Sequence, residues 1–70
     1  KDNVIFCDFS GNIVVVKTIP GGAATVGSAL DVSGWTEIIG TVAGDDSIFV
    51  LVKPKETAES VAARIHDLIR

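Results

Sequence analysis

Two adjacent acids, Asp45 and Asp46, close the run Gly40-Thr41-Val42-Ala43-Gly44-Asp45-Asp46, which lies between two apolar stretches. Neighbouring carboxylates are a receptor for a cation. The five residues before them carry little side-chain bulk, so a ligand can approach the backbone closely. A guanidinium is the best match, because its planar fork donates to carboxylates bidentately. Without that flank, an Asp-Asp pair between strands is an ordinary solvated hairpin loop. The pair could also hold hydrated Mg²⁺, but nothing else in the chain marks a phosphoryl-transfer site.

Two further places could do chemistry. Pro20-Gly21-Gly22-Ala23-Ala24 stands at a predicted helix start, where free N–H groups can hold a carboxylate or phosphate. No Gly-Lys-Ser/Thr follows, so this is not a Walker loop. Asp31 falls two helical turns beyond Ala24, on the same face. An acid there opposes the helix dipole, and a ligand ammonium would relieve it. The plain alternatives are a strand-to-helix turn and a surface acid.

Other chemistry is poorly provided for. One cysteine, Cys7, excludes an internal disulfide, and one histidine, His66, leaves no His/Cys cluster for zinc. No Ser–His–Asp or Cys–His arrangement can be assembled around His66. Cys7 reads as core and His66 as structural or solvated. Trp35 reads as cover for apolar surface at a helix end or a subunit contact. The net charge of −3, from 6 Lys+Arg against 9 Asp+Glu, argues against a nucleic-acid surface.

The elements that must position these residues follow from periodicity and punctuation. Val4 to Phe9 and Ile13 to Ile19 are β-branched and aromatic, and Ser10-Gly11-Asn12 turns between them, which predicts a hairpin. Ala23 to Asp31 predicts a short helix with Ala23, Val26, Gly27 and Leu30 on the sheet side, ended by Val32-Ser33-Gly34. Glu37 to Val42 and Ser47 to Val52 are strands around the turn Ala43-Gly44-Asp45-Asp46. Pro54 suits the first turn of a last helix, in which Ala58, Val61, Ala62, Ile65, Leu68 and Ile69 recur at helical spacing. Glu56, Glu59 and Arg64 fall on its outer side. The expected fold is α+β: a two-layer ββαββα sandwich, a four-stranded antiparallel sheet with two helices on one face.

Strands two and four are apolar at consecutive positions, which predicts burial on both faces. The helices cover only one, and a neighbouring subunit is the simplest cover for the other. Size agrees. A domain of 70 residues usually needs a disulfide, a metal or oligomerisation to be stable, and the first two are absent. A composition 47% hydrophobic gives more apolar surface than so small a core can use. No apolar run approaches the roughly 20 residues of a membrane span, and no signal peptide is visible. With one free thiol, a cytoplasmic location is expected. The chain starts at Lys1, directly before a strand, and is expected to be a fragment whose missing part lies upstream.

With these residues in hand, the whole chain resembles the C-terminal domain of bacterial arginine repressors. Gly40-Thr41-Val42-Ala43-Gly44-Asp45-Asp46-Ser47-Ile48 looks like that family's Gly-Thr…Gly-Asp-Asp signature, and Pro20-Gly21-Gly22-Ala23 with Asp31 matches its second motif. The resemblance implies a ligand-sensing oligomerisation domain over residues 1–70, neither an enzyme nor a metal or cofactor protein, with L-arginine as corepressor. It implies trimers that pair into a hexamer, with arginine between them. Asp45 and Asp46 would take the guanidinium, one of them across the trimer boundary. Asp31 would take the α-amino group, helped by backbone around Thr41 and Ala43, with Ala23 and Ala24 beside the ligand. Ala24 departs from the family pattern, which usually has a polar side chain there, often Gln. Operator DNA of arginine biosynthesis and catabolism genes would be bound by an N-terminal winged helix-turn-helix domain outside this chain. Two alternatives stand beside this: a purely structural oligomerisation domain, and an enzyme resembling pterin dehydratases, which share a ββαββα layout but need a histidine cluster.

Overall fold

The computed structural model describes residues 3–69. The hairpin is β1 (Val4–Ser10) and β2 (Ile13–Thr18), turned at Gly11, whose φ of 59° is the left-handed conformation that glycine adopts without strain. Then come α1 (Ala23–Val32), β3 (Ile38–Ala43), β4 (Ser47–Val52) and α2 (Lys55–Ile69). The predicted element order is therefore the observed one, and the fold is the expected α+β sandwich. Boundaries move by a residue: Ala43 is in β3 rather than the turn, and Ile19 is outside β2. Pro54 lies just before α2 and caps it, its carbonyl accepting from the Thr57 and Ala58 N–H groups.

The strand order is β1-β2-β4-β3, all antiparallel, so β2 and β4 are central and β1 and β3 are the edges. Register slips by one residue at Ile5 in β1 and at Ile39 in β3, and both side chains are 60% exposed. Both helices lie on one face. Val14 and Val16 of β2 and Ile48, Val50 and Val52 of β4 are sealed beneath them with Ala23, Leu30, Ala58, Val61 and Ile65. The side chains of Glu56, Leu68 and Ile69 lie outside the described residues.

The central strands do not bury both faces within this chain. Burial alternates along each, and the residues between the core positions make a second, open face. Cross-strand pairing lines up Val15, Phe49 and Val42 across it, with Ile13 and Leu51 in the next row. Phe49 remains 56% exposed and Val42 75%. Continuous apolar runs thus do mark two apolar faces, of which the chain itself covers one.

Arg64 departs from the outward position expected of it. Its guanidinium lies 4.0 Å from the centre of the Trp35 ring and 3.1 Å from Glu37 Oε2. Trp35 packs against the core, so this stack ties α2 to the loop before β3. The Glu37 carboxyl is held below its ordinary pKa, mainly by its own backbone N–H and then by Arg64. Arg64→Ala should cost about 1 kcal/mol, chiefly from the cation–π contact, and lower the melting midpoint by roughly 4–8 °C. An unchanged thermal midpoint by circular dichroism would show that the stack contributes nothing.

Candidate functional site

The acidic turn is fixed by backbone bonds from three directions. Thr18 N–H at the end of β2 donates to the Asp46 carbonyl at 2.8 Å. Gly21 and Ala23 N–H groups donate to the Asp45 carbonyl at 3.1 and 3.3 Å. Gly44 N–H closes the turn onto the Ser47 carbonyl at 2.8 Å. These bonds use the carbonyls and leave the carboxylates outward; the Asp45 side chain is exposed.

The same bonds correct one expectation. The N–H groups of Gly21 and Ala23 are spent on Asp45, and that of Gly22 on the Ile19 carbonyl at 3.0 Å. The Pro-Gly-Gly segment therefore does not offer these groups to an anion; it binds the acidic turn to the start of α1. Gly21 manages this at a φ of 81°, where a side chain would be strained. Ala23 is wholly buried, whereas Ala24 faces out.

Asp31 is the second acidic station. It is exposed at the end of α1 and accepts from Thr41 Oγ1 of β3 at 2.9 Å, so the partner its position calls for is at least in part a hydroxyl of this chain. Gly27, buried on α1, faces Ala43 and Thr41 of β3. A Cβ added there would lie 3.4 Å from the Ala43 Cβ and 4.0 Å from Thr41 Oγ1, in ordinary contact with β3. Asp31, Gly27, Thr41 and Ala43 thus line one seam between α1 and β3; Ala23 is bonded to the acidic turn at the start of α1, and Ala24 is exposed beside it. From Ala23, bonded to Asp45, to Asp31 is eight residues of helix, roughly 12 Å.

Sequence reasoning did not find Lys17. Its ammonium lies 3.1 Å from Asp46 Oδ2 and donates to Ser47 Oγ at 3.3 Å, while Ser47 donates to Asp46 Oδ1 at 3.2 Å. These contacts, with Lys17 the largest, hold the Asp46 carboxyl below its ordinary pKa. The pair is therefore intact at neutral pH and is lost only as pH falls through that lowered value. Two bare acids were expected in the turn; one of them already has a cation. The signal lay in the β2–β4 register, which sets Lys17 opposite Ser47, but that neighbour relation crosses an intervening helix and strand in sequence.

Elsewhere, a groove of about 360 Å³ between β1 and α2 is lined by Cys7, Glu59 and His66 among others. Cys7 is half-buried there, and burial pushes its thiol up to about 11, which makes it a poor nucleophile. Among the described residues, no group of three or more His, Cys, Asp or Glu could hold a metal ion. No helix among them is long and apolar enough to cross a membrane.

The chain is thus a ββαββα sandwich in which a tethered Gly-Asp-Asp turn lies beside a helix–strand seam. The family model described as "Arginine repressor, C-terminal domain" matches residues 1–67, and the chain belongs to that family. It is 56% identical over 97% of its length to the arginine repressor of Pelotomaculum thermopropionicum, covering 45% of that protein. It is 49% identical over its full length to the arginine repressor of Symbiobacterium thermophilum, covering 47% of it. A third relative, the arginine repressor of Moorella thermoacetica, is 49% identical over 96% of the chain and is covered for 44%. The chain spans about half the length of the curated relatives it matches. These relatives are transcription regulators, so the enzyme alternative falls.

Proposed function

We propose that this domain is the arginine sensor and assembly unit of a cytoplasmic transcriptional regulator. It binds L-arginine as corepressor between two trimers and couples that binding to a hexamer that holds operator DNA. Operator contact belongs to a winged helix-turn-helix domain N-terminal to residues 1–70, and the regulated genes are those of arginine biosynthesis and catabolism. The observation that carries the reading is the Asp45-Asp46 turn, tethered through its two carbonyls to β2 and the start of α1, with the Asp45 side chain exposed beside the partly exposed Asp46 carboxylate. L-arginine with its guanidinium at these two acids and its α-amino group toward Asp31 places one cation at each acidic station of the seam. The ligand's charge draws together subunits whose acids otherwise oppose contact, so binding and assembly become linked. The open sheet face is the apolar surface through which subunits first associate.

Calorimetric titration of the protein with L-arginine, L-lysine and L-citrulline tests this. Arginine should bind at least roughly tenfold more tightly than lysine, and citrulline, isosteric but uncharged, weakest of the three. Equal heats for arginine and citrulline would remove the guanidinium from the account.

A further inference from the structure

Lys17 stands at the join between the open sheet face and the acidic turn. It lies in the β2 row opposite Ser47, and its side chain, 37% exposed, carries the ammonium to Asp46 of the β3–β4 turn. Asp46 is thus gripped at both oxygens, Oδ2 by Lys17 and Oδ1 by Ser47, whereas Asp45 is anchored only through its carbonyl. The two acids are chemically unequal. Asp46 has a cation and a hydroxyl on its two oxygens; the exposed Asp45 carboxylate has neither among the described residues.

Resting on the reading of this turn as a guanidinium receptor, we propose that Lys17 is a positioning residue that sets its specificity, holding Asp46 as an oriented acceptor and leaving Asp45 as the ligand's charge partner. A carboxylate has room for about four hydrogen bonds, so Asp46 keeps acceptor sites beyond those that Lys17 and Ser47 use. A fixed carboxylate plane suits a planar fork, which donates along two set directions. An alkylammonium is a compact point charge with rotatable donors and gains little from that orientation. The net charge of the trio Lys17, Asp45 and Asp46 is one negative, which one guanidinium balances. Without Lys17 the turn carries two negative charges, and Asp46 is held only by Ser47 at Oδ1. It then attracts any cation more strongly and tells cations apart less well.

The test is the ratio of arginine to lysine affinity in Lys17→Met, Lys17→Arg and Ser47→Ala, measured by calorimetry on the intact protein, with circular dichroism as the folding control. A purely structural loss weakens both ligands alike and leaves the ratio unmoved. The parent should prefer arginine. Lys17→Met should lower the arginine-to-lysine ratio on the order of tenfold, mainly by tighter lysine binding. Lys17→Arg should restore it, because a second cation again holds Asp46. Ser47→Ala should lower it in the same direction, and it stands in for Lys17→Met if that variant does not fold. A ratio within about twofold of the parent in Lys17→Met and Ser47→Ala overturns the proposal while the turn remains the arginine site. A parent that binds neither ligand overturns the receptor reading and this proposal with it.

Discussion

Asp45→Asn should weaken L-arginine binding on the order of 10- to 100-fold, while the protein's association in the absence of arginine stays equal or becomes stronger. The amide keeps the shape of the turn, and the carbonyl bonds to Gly21 and Ala23 that hold it are backbone and survive. What is lost is charge: a charge-assisted bidentate contact becomes a neutral one. In the proposed assembly the same loss removes repulsion between acids of facing subunits, so ligand binding and ligand-free association should move in opposite senses. Asp46→Asn should also weaken arginine, but it additionally frees Lys17, which then turns to Asp45 and competes with the ligand. Calorimetry and sedimentation on the two variants decide the matter. A solvated hairpin loop would show neither change, and arginine affinities equal to the parent's would take the site away from this turn.

Phe49→Asp should leave a folded domain that no longer self-associates. Phe49 lies in the middle row of the open face, between Val15 and Val42, and its neighbours Ile48 and Val50 supply the core from the other face. The substitution therefore spares the helix-covered layer. On the open face it sets a carboxylate where an apolar contact would be dehydrated, which costs several kcal/mol per buried charge without a partner. Association should weaken by at least roughly a hundredfold. Sedimentation velocity at micromolar concentration reads the result, with circular dichroism to confirm the fold. Sedimentation like the parent's would mean that the subunits meet through another surface.

The elements were legible in the sequence because their signals are local. Ser10-Gly11-Asn12 and Pro20-Gly21-Gly22 punctuate it, and Ala58, Val61, Ala62 and Ile65 repeat at helical spacing and are all buried. The seam was legible in part. Asp31 and Ala24 were expected on one helical face, and both are exposed on α1. What local patterns do not carry is the partner chosen across space. Asp31 meets Thr41, Lys17 meets Asp46, and Arg64 meets Trp35 and Glu37. Each of these pairs joins elements brought together by packing rather than by a turn, and polar side chains with long stems have many partners within reach until the sheet order is known. The helix start misled for a related reason: free N–H groups are a property of an isolated helix, and here the neighbouring turn supplies the acceptor.

The register slips at Ile5 and Ile39 bear on how such an apolar chain stays discrete. They fall one on each edge strand, near the start of β1 and the start of β3. An extra residue twists the strand and interrupts the row of N–H and C=O groups that a further chain would need as a template. Strand-by-strand growth from either side of the sheet is thereby discouraged, while the broad face stays free to dock. The shifts at Ile5 and Ile39 thus leave each edge strand less regular as a template than the broad apolar face is as a docking surface.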